Sequence, residues 1–302
     1  MTVTNRHTIC GVAIDSTVLG GITEQTLVTG TEVRSEARSG EIYARHQSLI
    51  KQGYVPGFTT EDVAAALGVC GLSGVSLATK NLVLVAQKYA DGGSIAAGSV
   101  HRSYTFAKGI LVPRSLSCDH QGDASIKYEA VTVSADGSAS PMTISETAAL
   151  PSIAAHSVHT LGGVTIGAKS LDHVKRLQID FGIEAVSEGA DSDILDTLAS
   201  IRLVATELTL SGINVAWLKS DAIPETGLSG THANTTIYLR KRAAGGTFVA
   251  DETEEHIKFT AAGLAYVEQA LGGDPQEVNV KMPLKYDGSN APLTIDTASA
   301  IA

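Results

Sequence analysis

The sequence predicts a mainly β (α+β) fold made of two tandem, similar β-sandwich or barrel units, each with about one flanking helix. Three observations predict it. Four short patterns of the first half recur in the second half in the same order. Small and β-branched residues dominate and aromatic residues make up only 5% of the chain, which suits short strands joined by small-residue turns. The 302 residues, 43% of them hydrophobic, are enough to form two ordinary domains with packed cores.

The recurring patterns lie at similar separations. The motif Gly71–Gly74 (GLSG) returns 156 residues later as Gly227–Gly230, and Asp136–Ser138 (DGS) returns 151 residues later as Asp287–Ser289. Two further matches keep the same order: Lys88 with Gly92 and Gly93 returns as Lys241 with Gly245 and Gly246, and His101, Thr105 and Gly109 return as His256, Thr260 and Gly263. Separations that drift slightly are typical of insertions in loops. We infer a tandem duplication, with one unit at residues 1–151 and the other at 152–302.

Alternation and turn residues predict the elements of the first unit in order. The chain is expected to be extended over 7–29 and to form a polar loop over 30–41, followed by a short helix over 42–52 that Gly53 ends. A Thr cap and an acidic first turn at Thr59–Asp62 predict a second helix through Leu67. Strands are expected at 82–89, 100–112 (ending before Pro113), 125–134 and 142–144, with turns at Asp91–Gly93 and Asp136–Gly137.

The second unit is predicted in the same way. Gly and Pro residues over 151–170 favour a boundary between the units. Val174–Ile183 alternates apolar and polar residues and predicts a strand, and Asp191–Ser200 is expected to form a helix. Further strands are expected at 201–210, 213–218, 235–242, 256–259 and 278–284, with turns at Gly245–Gly246 and Asp287–Gly288.

The charge and the cysteine content exclude several function classes. The net charge is −10, of which −2 falls on the first half and −8 on the second, so the chain is expected to be a poor nucleic-acid binder and to stay soluble. Cys10, Cys70 and Cys118 are widely spaced and offer neither a disulfide framework nor a zinc site. The N-terminal residues carry no apolar signal core, and no apolar run reaches membrane-spanning length. We expect synthesis in the cytoplasm.

The candidate chemical motifs lack the residue spacing or the side-chain arrangement that their chemistry requires. Leu161–Ser170 resembles a phosphate-binding loop, but Ala168 separates Gly167 from Lys169, so an interdomain linker is expected there instead. The GLSG motifs lack the Gly-x-Ser-x-Gly spacing of a nucleophile elbow. Cys118, Asp119 and His120 are adjacent on one strand and therefore point alternately to opposite faces.

Histidines and acids are expected to be structural. We predict that His156 and His159 are solvated linker residues, and that His101 and His256 are hydrogen-bonded at strand starts. A subunit-contact role for the last two is the alternative. The acidic segment Asp251–Glu255 is expected to be a solvated loop, with a pore lining or a basic partner as the alternative. The sequence therefore predicts no enzyme: no catalytic, cofactor-binding or metal residues are expected.

The unit organisation resembles that of tailed-bacteriophage tail tube proteins. The resemblance is carried by Ser125–Glu129 (SIKYE) running into Asp136–Gly137 and Pro141, by the ordered units over most of the chain, and by the acidic, cysteine-poor composition. It implies that each unit is a small β-sandwich or barrel with one flanking helix. In that family six single-unit subunits usually form a ring, and rings stack into a hollow tube. In some long-tailed phages the tube protein is duplicated, and three chains form a pseudo-sixfold ring.

The resemblance implies a virion structural protein of the viral tail, made in the host cytoplasm, with no cofactor. Its partners would be further copies of itself, as homotrimeric rings that stack into a tube, and other tail proteins. DNA would pass through an acidic lumen during ejection without specific binding, and no membrane would be involved. The polar stretches 30–40 and 184–191 are expected to be arms ordered by the neighbouring ring.

Three alternatives stay open. A trimeric tail hub or distal tail protein would form rings that cap a tube and do not polymerise. A capsid or decoration protein would bind or build icosahedral particles. An enzyme on a duplicated β scaffold is less favoured for carbohydrate substrates, because the chain has a single Trp for stacking on sugars.

Overall fold

A computed structural model gives the fold of the chain. The structure describes residues 6–37, 39–40, 42–51, 53–70, 81–90, 93–153, 155–167, 169–191, 193–213, 231–243, 246–269 and 277–301. Both GLSG motifs and residues 214–218 of a predicted strand lie outside these ranges. Within them, no helix is long and apolar enough to cross a membrane.

The described residues form twenty-one strands and one helix. The first half contains β1 (His7–Ile14), β2 (Thr17–Leu19), β3 (Ile22–Thr29), β4 (Glu32–Glu36), β5 (His46–Lys51), β6 (Tyr54–Thr60), α1 (Val63–Cys70), β7 (Leu82–Lys88), β8 (His101–Phe106), β9 (Gly109–Asp119), β10 (Ser125–Thr132) and β11 (Met142–Ala148). The second half contains β12 (His159–Ile166), β13 (Lys169–Leu171), β14 (Val174–Asp180), β15 (Ile183–Glu188), β16 (Leu198–Val204), β17 (Glu207–Gly212), β18 (Thr231–Lys241), β19 (His256–Gln269), β20 (Val278–Pro283) and β21 (Leu293–Ser299). The prediction of a mainly β fold is confirmed.

Most strands belong to two antiparallel sheets. A five-stranded sheet has the order β11-β8-β7-β1-β2. A twelve-stranded sheet has the order β13-β12-β18-β19-β20-β17-β14-β9-β10-β6-β3, with β21 beside β19. Two hairpins, β4–β5 and β15–β16, stand apart from the sheets. We call β4–β5 with its connecting residues arm 1, and β15–β16 with its connecting residues arm 2. One cluster of buried apolar side chains includes residues of both halves.

Strand pairing in the second half repeats that in the first half residue by residue. In β1–β2, Ile14 pairs with Thr17, and in β12–β13, Ile166 pairs with Lys169, 152 residues later. The β3–β6 and β14–β17 ladders have equivalent registers, with register breaks at Ile22/Glu24 and Val174/Arg176. The two arms share their pairing and their register break as well, since Val33 pairs with Leu49 and Ala185 with Ile201. Equivalent paired residues and register breaks are 152 residues apart in all of these ladders. The two halves therefore have the same strand topology over these elements.

The two halves differ in how their long strand passes Gly109 and Gly263. The first half breaks its long strand into β8 and β9 near Gly109, whereas β19 runs without a break through the matching Gly263. The position that corresponds to α1 in the second half lies outside the described residues. The division at residue 151 falls between β11 and β12 and stays a prediction.

Several local predictions were wrong. The predicted helices at 42–52 and 191–200 do not form: these segments contribute β5 and the start of β16, while the predicted loop at 30–41 contributes β4. The predicted linker at 161–170 is instead β12 and β13, and its Gly162-Gly163 pair lies at a register break between Leu161 and Val164. The strand predicted to end before Pro113 continues to Asp119, because Pro113 lies beside a register break in the β9–β10 ladder. The helix predicted after Thr59 is confirmed as α1, which starts at Val63.

Candidate assembly interface

The two halves meet edge to edge at one strand pair, β9 with β14. Leu177 pairs with Cys118, and the ladder extends from Arg176 opposite Asp119 to Asp180 opposite Ser115. The amide of Phe181 donates to the carbonyl of Arg114 at 3.0 Å, and the amide of His120 donates to Lys175 at 2.6 Å. These two bonds lie at opposite ends of the ladder, which makes the contact a regular antiparallel sheet junction.

Ion pairs flank this junction on its polar face. The Arg176 guanidinium lies 2.7 Å from the Asp119 carboxylate, and each pair member is on a different half of the chain. The guanidinium of Arg114 donates to the Glu129 carboxylate at 2.7 Å and to the carbonyl of Ile183, also at 2.7 Å. Arg114 therefore ties the first half to the base of arm 2. Exposed pairs of this kind contribute about 0–1 kcal/mol each, so backbone pairing and apolar burial dominate the junction.

Arm 2 continues the junction across the surface of the first half. The amides of Ile194 and Leu195 donate to the Gly137 carbonyl at 3.2 and 3.1 Å. The Ser134 amide donates to the backbone carbonyl of Asp196 at 2.7 Å, and the Lys108 ammonium donates to the Thr197 carbonyl at 3.1 Å. Arm 2 is thus seated on the turn that the sequence predicts at Asp136–Gly137.

Both strands of the junction have counterparts elsewhere in the chain. The strand β3 corresponds to β14 and forms the outer edge of the twelve-stranded sheet. In the second half, Val112, Pro113 and Ser115 of β9 correspond to Tyr266, Val267 and Gln269 of β19, which pair with β20 as β9 pairs with β10. The residues of β9 that pair with β14, Ser115–Asp119, therefore correspond to positions 269–273, of which Gln269 alone is among the described residues. Among the described residues, β3 has no second neighbouring strand.

The repeated histidines are structural in this fold, as predicted. His101 and His256 each begin a strand and are buried. Their Nδ1 atoms accept hydrogen bonds from the amides of Lys88 and Lys241, both at 3.0 Å. The same side chain thus closes the same strand connection in both halves.

His159 contradicts the prediction of a solvated linker histidine. It lies in β12 with 1% of its surface exposed, opposite Lys241. Burial lowers the pKa of its imidazole, and the positive charge of Lys241 acts in the same direction. His156 is partly exposed, and its imidazole lies 3.9 Å from the Glu61 carboxylate.

The repeated Asp-Gly turns have equivalent geometry. The Asp136 carboxylate accepts the amides of Ser138 and Ala139 at 2.9 and 2.7 Å, and Asp287 accepts those of Ser289 and Asn290 at 2.8 and 2.6 Å. These backbone hydrogen bonds lower the pKa of both carboxyl groups to about 2. Gly137 and Gly288 both have positive φ, 81° and 96°. Each turn therefore requires the Asp and the Gly that the sequence repeats.

The remaining chemical candidates have structural surroundings. Burial raises the pKa of the Cys118 thiol to about 12, which keeps it protonated and weakly nucleophilic. Within the acidic segment, Asp251 lies 2.5 Å from the Arg240 guanidinium and Glu255 lies 3.3 Å from the Lys241 ammonium. No cluster of three or more potential metal ligands occurs among the described side chains.

The two strands of the β9–β14 junction can be found in the sequence, but their pairing cannot. Leu116 and Cys118 alternate with the polar residues at 115, 117 and 119, and Val174–Asp180 alternates clearly as well. Both patterns predict half-buried strands, but neither says which strand is the neighbour. The chain matches no protein-family model and no curated protein.

Proposed function

We propose that the chain is a structural protein of a phage virion, whose copies form stacked rings of a hollow tail tube that conducts DNA during ejection. Two observations support the proposal. The two halves share a strand topology and meet at one strand pair, and the sequence units resemble tail tube proteins. No catalytic role is needed to account for the residues that the sequence repeats, since the histidines, aspartates and glycines stabilise turns and strand connections.

The observation that carries the proposal is the junction inside the chain. One unit presents the β9 edge and the other presents β14, so the two contacting surfaces are different and the contact is head-to-tail. Because the units have the same strand topology, the same contact between copies would join β3 of one copy to positions 269–273 of the next, which correspond to Ser115–Asp119 of β9. A repeated head-to-tail contact closes into a ring if the rotation that relates neighbouring copies is a whole-number fraction of a full turn. Three copies would supply the six units of a pseudo-sixfold ring.

Ring formation would also protect the strand edges. Free edges of regular strands expose unpaired amides and carbonyls that favour aggregation. In β14, the Phe181 amide just beyond the strand points to β9, and its counterpart at the end of β3 is Thr29. Pairing between copies would satisfy this edge in the way that the first half satisfies β14.

The solvent face of the shared sheet suits a DNA conduit. Its charged side chains pair with one another across strands, for example Lys281 with Glu207 and Glu268 at 3.4 and 2.8 Å, and Arg176 with Asp119. Between them lie small polar side chains: Thr59, Ser117, Ser125, Gln178, Thr209 and Ser211. A polyanion is held by unpaired Lys and Arg, so a surface of self-paired charges gives it little to bind. We therefore assign this face to the lumen, with a balance of charges in place of the strongly acidic lining expected from composition.

Negative-stain electron microscopy of the purified chain across a concentration series tests the proposal. Hollow, regularly striated tubes with threefold or sixfold end views are expected. Rings that never stack would favour a tail hub or distal tail protein instead. Particles with icosahedral symmetry, or monomers at every concentration, would overturn the tube proposal.

A further inference from the structure

The two arms differ in the exposure of three matched positions. On arm 2, Leu195 is 6% exposed, and Ala185 and Ile201 pack partly buried against the core. The matching positions on arm 1 lie 152 residues earlier in the chain: Tyr43, Val33 and Leu49. Their exposed fractions are 78%, 56% and 47%. The same face is therefore covered on one arm and open on the other.

Arm 1 already has the conformation that docks in arm 2. Its turn closes through the Arg45 amide, which donates to the Glu36 carbonyl at 3.0 Å. The matching bond in arm 2 joins Thr197 to Glu188, also at 3.0 Å. Because the hairpin register and this closure are the same, docking of arm 1 would require little rearrangement.

The surface that would receive arm 1 is present in the second half. Arm 2 sits on Gly137, where a Cβ atom would collide with the Asp193 carboxylate, whereas nothing lies within 4 Å of the corresponding position at Gly288. The adjacent Tyr286 is 60% exposed. The turn at Asp287–Gly288 thus has the geometry of the turn on which arm 2 sits. No described residue of its own chain occupies the corresponding place.

Matched residues on β21 and β11 also differ in exposure. Helix α1 of the first half contacts β21 of the second half, where Ile295 is partly buried against the core. The counterpart of Ile295 is Ile144 on β11, which is 51% exposed. An apolar side chain is again covered at the junction inside the chain and open at the matching place in the first half.

We propose that the tip of arm 1, Ile42 and Tyr43, docks on the Tyr286–Gly288 turn of a second copy of this chain. This inference rests on the head-to-tail assembly of the proposed function and names its contact residues. The amides of Ile42 and Tyr43 would donate to the Gly288 carbonyl, as those of Ile194 and Leu195 donate to Gly137. The arm therefore joins neighbours within a ring, and stacking between rings must use other surfaces.

The base of arm 1 is more polar than the base of arm 2. Phe181 and Ile183 are buried at the junction inside the chain, with 2% and 3% of their surfaces exposed. Their counterparts are Thr29 and Thr31, which are exposed. Polar residues at this base reduce the apolar surface that the free chain exposes there. The contact between copies is accordingly weaker than the contact inside the chain.

Site-specific photo-cross-linking tests the docking directly. Tyr43 is replaced by p-benzoylphenylalanine in the full chain, and isotopically light and heavy copies are mixed before irradiation. Mixed-isotope cross-links between position 43 and the segment Tyr286–Asn290 are expected. The same replacement at Ile95, whose counterpart Phe248 is also exposed, is the control and is expected to give no cross-link to that segment.

The results separate this inference from the proposed function. Tubes whose position-43 cross-links map elsewhere would overturn the docking and leave the tube intact. Cross-links to Tyr286–Asn290 in discrete oligomers that never form tubes would support the docking and overturn the tube. Absence of any cross-link between copies across the concentration series would overturn the docking.

Charge substitutions give a second readout. The double variant Ile42→Asp with Tyr43→Asp is expected to require at least about tenfold higher concentration for self-association, since aromatic anchors commonly dominate such contacts. Its melting temperature as a free chain is expected to stay unchanged, because both side chains are exposed. Ile95→Asp is the matched control and should assemble normally. Normal assembly of the double variant would contradict the docking.

Discussion

Protonation of His159 couples the stability of the second half to pH. The imidazole is buried opposite Lys241, near His256 and the backbone of Glu255 and Ser157. Its pKa in the folded chain lies below the ordinary value of 6.5. The unfolded chain therefore binds a proton first as the pH falls, so this residue's contribution to stability is lost from about pH 6.5 downward.

The substitution His159→Leu is expected to remove this pH dependence. At pH 7.5 the free energy of unfolding should fall by at most about 1 kcal/mol, because leucine has a similar volume and a hydrogen bond of the neutral ring contributes about that much. At pH 5.5 the variant should be the more stable of the two proteins. Urea unfolding at both pH values measures the difference, and equal losses in both proteins would contradict it.

Gly137 and Gly288 allow the cost of arm docking to be measured at a single residue. The substitution Gly288→Ala is expected to cost about 1 kcal/mol, which is the strain of an L side chain at positive φ. Gly137→Ala should cost about 2–3 kcal/mol, because its Cβ must also displace Asp193. The Asp193 carboxylate accepts hydrogen bonds from the Ala190 amide at 2.8 Å and the Thr197 hydroxyl at 3.2 Å.

Chemical denaturation of the free chain compares these two variants. The Gly288 variant is the control for backbone strain, since both turns have the same hydrogen-bonding pattern. Equal destabilisation would mean that arm 2 contributes nothing through Asp193 at this turn.

At the scale of elements, the edge of β3 is the part of the proposed interface between copies that a single proline should block. Thr29 is exposed and corresponds to Phe181, whose amide donates to Arg114 across the junction. The substitution Thr29→Pro removes an amide that faces the open edge, and proline is tolerated on edge strands. The melting temperature should fall by no more than a few degrees, whereas self-association should be strongly weakened.

Thr29→Ala is the control for this prediction, because it retains the amide. Analytical ultracentrifugation of both variants and the wild type gives their association constants. If the proline variant associated as well as the alanine variant, β3 would not be the edge that pairs.

Element predictions succeeded where the signal was local. Thr59–Asp62 and the following alanines predicted α1, and the alternation of Ser125–Ser134 predicted β10. Both arms were predicted partly as helix because Leu49, Ile50, Ile194 and Leu198 have spacings that also suit a helix face. Their strand conformation depends on hairpin partners several residues away, and the apolar face of arm 2 depends on the first half of the chain. The hydrophobic pattern of a segment indicates neither its hairpin partner nor the surface against which it packs.

The junction was missed for a related reason. Alternation in Val174–Asp180 predicts a strand with one buried face, but strand order depends on contacts distant in sequence. His159 was assigned to a linker because the Gly162-Gly163 pair suggests a loop. In the structure that pair forms a register break inside β12, where the backbone of β18 approaches Gly162 closely.

At the scale of the whole molecule, the repeat gives one chain two different ends. In the proposed assembly, the first half offers arm 1 and the edge of β3, and the second half offers the Asp287–Gly288 turn and positions 269–273. Such a chain cannot satisfy both ends in a two-copy complex with a single head-to-tail contact. Repeated contacts of the proposed kind would either close into a ring or continue as an open filament.

Native mass spectrometry of dilute protein distinguishes closure from continued growth. In a three-copy ring the last copy makes two contacts at once, so its binding benefits from a high effective concentration. We therefore expect monomers of 31.2 kDa and species of three times that mass, with little accumulation of dimers. Thr29→Pro should leave only monomers under the same conditions. A continuous series of dimers, trimers and tetramers would indicate an open filament, and it would contradict the pseudo-sixfold ring while leaving the head-to-tail contact in place.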